Sequence, residues 1–398
     1  SRLLGELGVT VERDEDDLRL HAVDHDRSHA RYDIVRTMRG SICVLGPMLA
    51  RRRHASISMP GGCAFGHRPI DLHLHGLRAL GAEIRFDGGN IIATAERLRG
   101  TTIFLGGPNG STVLGTANVM SAATLAEGTT VIEAAACEPE IVDLADLLNH
   151  MGARIRGAGT PRITIDGVRE LHGAAHDVLP DRIVAGTWAM AAAITRGEVV
   201  LDRFPWDHLL AVLDVFRQIG VRVERTDPGQ DPRNCTVRVT ADGDLQPAII
   251  TTQPYPGFPT DLQAQMLALL CFARGNSIMT EKIFPERFMH VAELARMGAE
   301  IFRNGPIAVV RGVRRLVGAP VMASDLRASA SLVLAGLAAE GETIVSRVYH
   351  LDRGYQNMER GLAALGAGIE RIDLELGGDI EAELRQSAPA RRTLRLSQ

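Results

Sequence analysis

The apolar positions of this chain switch repeatedly from a helical spacing to strict alternation, and each switch falls on a glycine. Leu4–Val11 reads LGELGVTV, and the pattern returns as LRALGAEI at Leu77, LNHMGARI at Leu148, FRQIGVRV at Phe216, LARMGAEI at Leu294 and LAALGAGI at Leu362. Each phrase predicts the last turn of an amphipathic helix, a glycine stop and the start of a strand, because a helix commonly ends on a left-handed residue that glycine supplies best. The stops are Gly8, Gly81, Gly152, Gly220, Gly298 and Gly366, separated by 73, 71, 68, 78 and 68 residues.

A second signal precedes them. EGTTVIEAA at Gly128, RGEVVLDRF at Gly197, RGNSIMTEKI at Gly275 and EGETIVSRV at Gly341 each close a small-residue helix and open a strand, 24, 23, 23 and 25 residues before the next stop. RHASISMPGG is the second unit's version, with Ala55 placed 26 residues before Gly81. The repeat is therefore helix–strand–loop–helix–strand–strand, present six times. Such units either stack as a solenoid or close into compact domains. The helices containing VMSAATLA, WAMAAAIT and ASASLVLAGLAA are apolar nearly all round, which predicts burial inside with sheets outside. The expected fold class is α/β, in two domains of three units: residues 1–179 and 180–372, with a hinge near Asp177–Arg182. Residues 373–398 fall outside the repeat and read as an appended, partly disordered tail. The first unit has its Gly8 but lacks the upstream strand and buried helix, so its N-terminal half is expected to have been cut away before Ser1.

Length alone, 398 residues, favours two domains over one. A net charge of −4 gives no case for a nucleic-acid partner. Lys282 is the only lysine, so almost every fixed cation is a guanidinium, suited to two-pronged grips on carboxylate and phosphate. Cys43, Cys63, Cys137, Cys235 and Cys271 show no CxxC spacing. They predict neither a metal site nor a disulfide framework, and a reducing cytoplasm is the expected compartment. No signal peptide is visible, and the longest uncharged stretch, Thr101 to Ala126, is interrupted by glycine, asparagine and threonine, so no membrane partner is expected.

Polar residues at one repeat position gather around a pseudo-threefold axis. Fourteen residues before the strand-opening glycines stand Leu114, Ile183, Asp261 and Arg327, and Arg39 holds the corresponding place in the second unit. These positions begin the buried helices, whose free N–H groups favour anions. The plain reading of each charge alone is a helix cap or a solvated ion pair. Cys63 stands apart, in SISMPGGCAFGHRPID, among Gly61, Gly62 and Gly66. A lone cysteine is ordinarily a small buried hydrophobe, whereas a glycine-flanked one rides on a mobile loop.

PGGCAFGHRPIDLH (Pro60–His73), PGFPTDLQAQ (Pro256–Gln265), FPERFMHVAELARMGA (Phe284–Ala299), DLRASASLVLAGLAAEG (Asp325–Gly341) and YHLDRGY (Tyr349–Tyr355) resemble the UDP-N-acetylglucosamine enolpyruvyl transferases of the EPSP synthase family. The likeness runs from Leu3 to about Ile372. It implies an inside-out α/β barrel of two domains, with the active site in the cleft between them. The implied activity moves the enolpyruvyl group of phosphoenolpyruvate to the sugar 3-hydroxyl and releases phosphate, committing carbon to peptidoglycan, with small-molecule substrates and no cofactor or metal. By resemblance Cys63 is the general acid, its thiolate favoured by nearby arginines, and Asp261 is the base that meets the sugar hydroxyl. Arg68 matches a loop arginine that grips phosphate, and Arg68, Pro69, Ile70, Asp71 and Leu72 match a segment touching the UDP-sugar. Arg39 matches an arginine of the same cleft. Arg287, Arg327 and Arg353 match arginines around the phosphoenolpyruvate anion, with a structural pair to Asp352 as the plain reading of Arg353. Ile283 matches an apolar contact to the sugar nucleotide, and Thr112 to Leu114 a uridine-side loop.

The closely related shikimate-pathway transferase lacks the PGGC loop, which argues against that substrate. A Lys–Asn pair of the family would fall, by the repeat spacing, about thirty residues before Ser1. Two other readings therefore stay open, a transferase with another acceptor and a non-catalytic relative that binds the sugar nucleotide.

Overall fold

All six helix stops adopt the left-handed conformation that the sequence pattern requires, with φ from +79° at Gly8 to +99° at Gly152. The structure is a computed structural model that describes residues 1–15, 17–59, 70–372 and 393–397. At the fourth unit the left-handed residue between helix and strand is Arg196, at φ +53°, one place before the expected Gly197.

Among the described residues the chain divides into two compact units, one ending at Val178 and the next beginning at Leu179. In the first, His29–Ala30, His54–Ser58, Asn90–Thr94 and Glu83–Asp87 form one four-stranded sheet in that spatial order, and Thr102–Phe104, Thr129–Glu133, Arg162–Asp166 and Arg154–Arg156 form another. Val9–Asp14 and Asp17–Ala22 make a separate hairpin. In both four-stranded sheets the first pair is parallel and the other two are antiparallel, so the last two strands are a hairpin. Strand alternation sends Ala55 and Ile57, or Ile163 and Ile165, inward, where all four are fully buried. Helices Leu45–Arg52 and Val113–Ala123 lie beneath these sheets. They approach closely because Gly46 has no side chain: a Cβ there would stand 2.2 Å from the carbonyl oxygen of Asn118.

The second unit has a three-stranded sheet, Glu198–Phe204, Cys235–Thr240 and Arg222–Arg225. A four-stranded sheet follows the earlier order with Ile249–Thr251, Asn276–Thr280, Ile307–Arg311 and Glu300–Asn304. Helices Arg182–Ile194, Gln263–Leu270 and Leu326–Ala338 pack on one another inside, and every residue of Gln263–Leu270 is buried. Near-uniform apolarity of these helices therefore has its cause in contact on all sides.

The last sheet corrects the reading of the chain's end as an appended tail for residues 393–397, while residues 373–392 lie outside the described residues. Thr393–Ser397 lies between Glu342–Ser346 and Ile369–Ile372, parallel to both, and Leu394 and Leu396 are 1% and 0% exposed. The chain's last described strand is thus part of the core. In the other four-stranded sheets the corresponding strand returns through a tight antiparallel turn. Here it is parallel to its predecessor, and parallel neighbours need a crossover of roughly a dozen residues or more. Residues 373–392 separate the strand from its unit, which hid it from a scan at fixed spacing.

Candidate active site

The first turns of the buried helices differ in one residue, and that difference sets the site. Two places before Leu114, Ile183, Asp261 and Arg327 stand Thr112, Asp181, Pro259 and Asp325. Thr112 Oγ1 accepts from the Gly115 amide at 3.2 Å. Asp181 Oδ1 accepts from Ile183 and Val184 at 2.8 and 3.0 Å. Asp325 Oδ1 accepts from Arg327 and Ala328 at 2.9 and 3.1 Å. These are N-caps. Pro259 has no such side chain, and the chain enters its helix through a 3₁₀ turn, Thr260–Leu262, which carries Asp261. Asp261 caps neither that turn nor Gln263–Leu270. The cap reading of this residue is therefore corrected, because its carboxylate faces guanidinium groups.

Arg287 Nη1 lies 2.7 Å from Asp261 Oδ1, and Arg327 Nη2 lies 3.4 Å from Oδ2. The two arginine side chains are 6% and 12% exposed while the aspartate is 41% exposed, so the carboxylate is the member open to an arriving molecule. Arg287 Nη1 also donates to Thr260 Oγ1 at 3.0 Å, and its guanidinium carbon sits 5.8 Å from the centre of the Phe284 ring. Arg327 Nη1 donates to the Tyr355 hydroxyl at 3.2 Å. That hydroxyl meets Thr187 Oγ1 at 2.9 Å and accepts from Gln265 Nε2 at 3.2 Å, tying the arginine to the buried helices. Burial opposes the charge of Arg327 most, but Asp261 and Tyr355 outweigh it, and its pKa is raised.

Ile283 is half-buried, and its backbone N–H is used by Glu281 Oε1 at 2.8 Å. Arg353 is exposed, and its side chain has no hydrogen bond or ion pair among the described residues. The expected alternative, a pair with Asp352, is not formed. Asp352 is gripped by both Nη atoms of Arg371 at 2.7 and 3.0 Å.

In the first unit, Arg39 opens the 3₁₀ helix Arg39–Val44. Ile70, Asp71 and Leu72 lie at the start of helix Asp71–Ala79, with Ile70 buried, Asp71 exposed and Leu72 half-buried. The next residue, His73, is 4% exposed, its Nδ1 3.1 Å from Asn118 Nδ2, whose amide also donates to the Ile42 carbonyl of the Arg39–Val44 helix. The pKa of His73 is lowered to about 4 by burial and then by the positive charge of Arg39, with Asp71 opposing. Arg39 and the Ile70–Leu72 turn therefore share one neighbourhood. Cys63, Arg68 and Pro69 lie outside the described residues.

Sequence reasoning passed over Thr260, Glu281, Gln265, Tyr355 and Thr187. Thr187 and Gln265 stand four residues after Ile183 and Asp261, as Asn118 does after Leu114, so the repeat register itself marks a buried polar position one turn below the helix starts. Glu281 follows Ser277 and Met279 at inward-facing spacing, and all three are fully buried.

The profile of the EPSP synthase (3-phosphoshikimate 1-carboxyvinyltransferase) family matches residues 1–362. A UDP-N-acetylglucosamine 1-carboxyvinyltransferase of Akkermansia muciniphila is 50% identical over 93% of this chain and 86% of its own length. Its counterpart in Trichlorobacter lovleyi is 52% identical over 94% of this chain and 87% of its own. Among solved structures, the enolpyruvyl transferase NikO from Streptomyces tendae superposes with a TM-score of 0.78 at 24% identity, covering 92% of this chain and 85% of that one. EPSP synthase from Acinetobacter baumannii gives 0.63 at 20% identity, over 85% and 80%. Both carry the same fold. With the profile spanning residues 1–362 and relatives half identical over more than nine-tenths of its length, the chain belongs to the EPSP synthase family.

Proposed function

We propose that the chain is a UDP-N-acetylglucosamine 1-carboxyvinyltransferase, a transferase that moves the enolpyruvyl group of phosphoenolpyruvate to the 3-hydroxyl of UDP-N-acetylglucosamine and releases phosphate. The observation that carries this reading is a half-exposed carboxylate, Asp261, held between two nearly buried arginines in a chain half identical to enzymes of that name.

Addition needs a base for the hydroxyl proton, an acid for the alkene CH2 and cations for the anion. Arg287 and Arg327 supply fixed positive charge, and Arg353 adds an exposed guanidinium. An arriving phosphoenolpyruvate competes with Asp261 for these donors. The carboxylate it displaces is then free to take the 3-hydroxyl proton as the sugar oxygen bonds to C2 of phosphoenolpyruvate. Cys63 gives its proton to the CH2, completing a tetrahedral ketal. Loss of a proton from the new methyl group and cleavage of the C–O bond to phosphate complete the transfer. Arg39, Arg68, Pro69, Ile70, Asp71 and Leu72, with the backbone of Ile283, hold the sugar nucleotide. The Ile283 N–H is already engaged, so its carbonyl is the group that meets the ligand. Cys63 is favoured as the acid over the other thiols by their settings. Burial pushes Cys43 up to about 11 and Cys271 up to about 12, and raises Cys137 and Cys235.

Incubation with both substrates, followed by phosphate release and mass spectrometry of the sugar nucleotide, tests the reading. The expected product is UDP-N-acetylglucosamine heavier by one enolpyruvyl group. Phosphate release only when shikimate 3-phosphate replaces the sugar nucleotide would overturn it in favour of another acceptor.

A further inference from the structure

We infer that Glu281 is a positioning residue: from complete burial it sets the direction of a hydrogen-bond relay that aims Arg287, and it fixes Ile283 with the same carboxylate. The substrates used to test this rest on the proposed function, whereas the relay itself does not.

Glu281 is 0% exposed. A carboxylate in that position is costly unless every lone pair it can offer finds a donor. Oε1 accepts from Thr252 Oγ1 at 2.8 Å and from the backbone amides of Ile283 and Phe284 at 2.8 and 2.9 Å. Oε2 accepts from Thr260 Oγ1 at 2.9 Å. All four partners donate, the pattern of an acceptor-only group.

The hydroxyl polarities are settled by what each threonine receives. Thr252 Oγ1 accepts from the Lys282 amide at 2.9 Å, and its own hydrogen goes to Glu281. Thr260 Oγ1 accepts from Arg287 Nη1 at 3.0 Å, so its single hydrogen also goes to Glu281. The relay therefore runs one way, Arg287 to Thr260 to Glu281. The Arg287 Nη1 that feeds it also reaches Asp261 Oδ1 at 2.7 Å. The hydrogen-bond partners of Glu281 described above, Thr252, Thr260, Ile283 and Phe284, are not among the residues assigned to contact phosphoenolpyruvate. Glu281 acts by making Thr260 present a lone pair, and so by holding the guanidinium in the plane that meets Asp261. Its other oxygen shapes the turn that carries Ile283.

Glu281→Gln separates the two effects at nearly constant volume. The amide oxygen keeps the three donors of the Ile283 turn, which cannot tolerate an NH2 among them. The NH2 then faces Thr260 and donates to it. Thr260 Oγ1 then accepts from both the NH2 and Arg287 Nη1 with its two lone pairs, and its own hydrogen loses the charged acceptor that had fixed the hydroxyl's direction, so the lone pair offered to Arg287 is no longer aimed.

In the full chain, Glu281→Gln is expected to raise the KM for phosphoenolpyruvate or lower kcat by about 10-fold to 100-fold, the range for one charge-assisted hydrogen bond, with the KM for UDP-N-acetylglucosamine changed less than about 2-fold. Thr260→Val is expected to match it, and the double variant to be no worse than the poorer single one, since both act through one relay. A general packing role would instead disturb both substrates and make the double variant multiplicative, which would overturn the inference, as would unchanged kinetics in Glu281→Gln. The crystal structure of Glu281→Gln gives a readout independent of turnover: the Arg287 guanidinium turned from the plane in which it meets Thr260 and Asp261, while the 281–284 turn is kept. A guanidinium unmoved from its place in the parent sinks the relay. If the parent chain does not turn over the two substrates, the proposed function fails, and the structure of the variant alone decides the relay.

Discussion

Asp261 is half in solvent while the arginines it pairs with are nearly sealed, and this asymmetry makes it the removable member of the cluster. Asp261→Asn keeps the shape but leaves two guanidiniums short of counter-charge, at a cost on the order of 2 kcal/mol. Turnover should fall about 10²–10⁴-fold, the range for a general base. Inorganic phosphate should raise the Tm of the variant by more degrees than that of the parent, since an anion that binds only the folded state stabilises it. Equal shifts in the two proteins, with chloride at matched ionic strength as the control, would show that the arginines do not form an anion grip. Two histidines give a second expectation. His73 and His290 are lowered to about 4, in both cases by burial first; Asp325 opposes the shift at His290 and Arg287 adds to it. Their folded pKa values lie below the unfolded value of about 6.5, so the unfolded chain binds more protons between pH 6.5 and 4. The stability they contribute is complete above that window and is lost as pH falls through it. The Tm measured across that range should fall, and His290→Gln should flatten the slope; an unchanged slope would rule the residue out. How these residues were legible varies. Asp261 and Arg327 emerge from repeat arithmetic alone, because equal spacing places them on equal turns. Arg287 and Arg353 carry no periodic signal and came only through resemblance. Glu281 was readable as an acid at an inward strand position, but it stands beside the sole lysine, in a segment that looks like a charged loop.

At the scale of elements, glycine stops were the surest guide, because the left-handed conformation they adopt is one that other residues reach only under strain. Gly298 holds φ +92° with nothing within 4 Å of an added Cβ, so the space is open and only the backbone objects. Gly298→Ala should therefore lower stability by about 1–2 kcal/mol, the cost of a left-handed residue with a side chain. Gly5 is also unobstructed but lies inside helix Arg2–Glu6 with no positive φ. Gly5→Ala should raise stability by roughly 0.5–1 kcal/mol. Denaturant unfolding of both variants distinguishes these signs, and a loss at Gly5 would mean that the helix is not held as described. Helix starts were harder to read than stops. Thr112, Asp181 and Asp325 cap, while Pro259 at the same register removes the cap and turns the following aspartate toward the arginines. The repeat located the position, and only the neighbouring residue type decided its use. Strand Thr393–Ser397 was missed for a topological reason, since its parallel entry breaks the spacing that exposed every other unit.

At the scale of the whole molecule, the described residues form two hydrophobic cores that share no residue. One gathers buried side chains from Leu3 to Ile165, the other from Ile183 to Leu396. The second core depends on the last described strand, because Leu394 and Leu396 lie at 1% and 0% exposure and the strand pairs with Glu342–Ser346 on one side and Ile369–Ile372 on the other. A chain ended after Ile372 would leave two strands without their common neighbour and uncover Leu362 and Val345, among others, in the same cluster. Burying one large apolar side chain is worth roughly 1.5–3 kcal/mol, so loss of two leucines and a central strand exceeds a large part of a typical domain's stability of about 5–15 kcal/mol. An appended tail would be dispensable, whereas a core strand is not. Calorimetry of the truncated chain should therefore show the melting of the second unit lost or displaced by more than about 10 °C, far beyond the few degrees that follow from 1 kcal/mol, while melting of the first unit stays near its place in the parent. Loss of phosphate-dependent stabilisation should accompany it, because Asp261, Arg287 and Arg327 belong to the same unit. A truncated chain that melts as the parent does would show that Thr393–Ser397 adds a strand to the sheet without supporting its core.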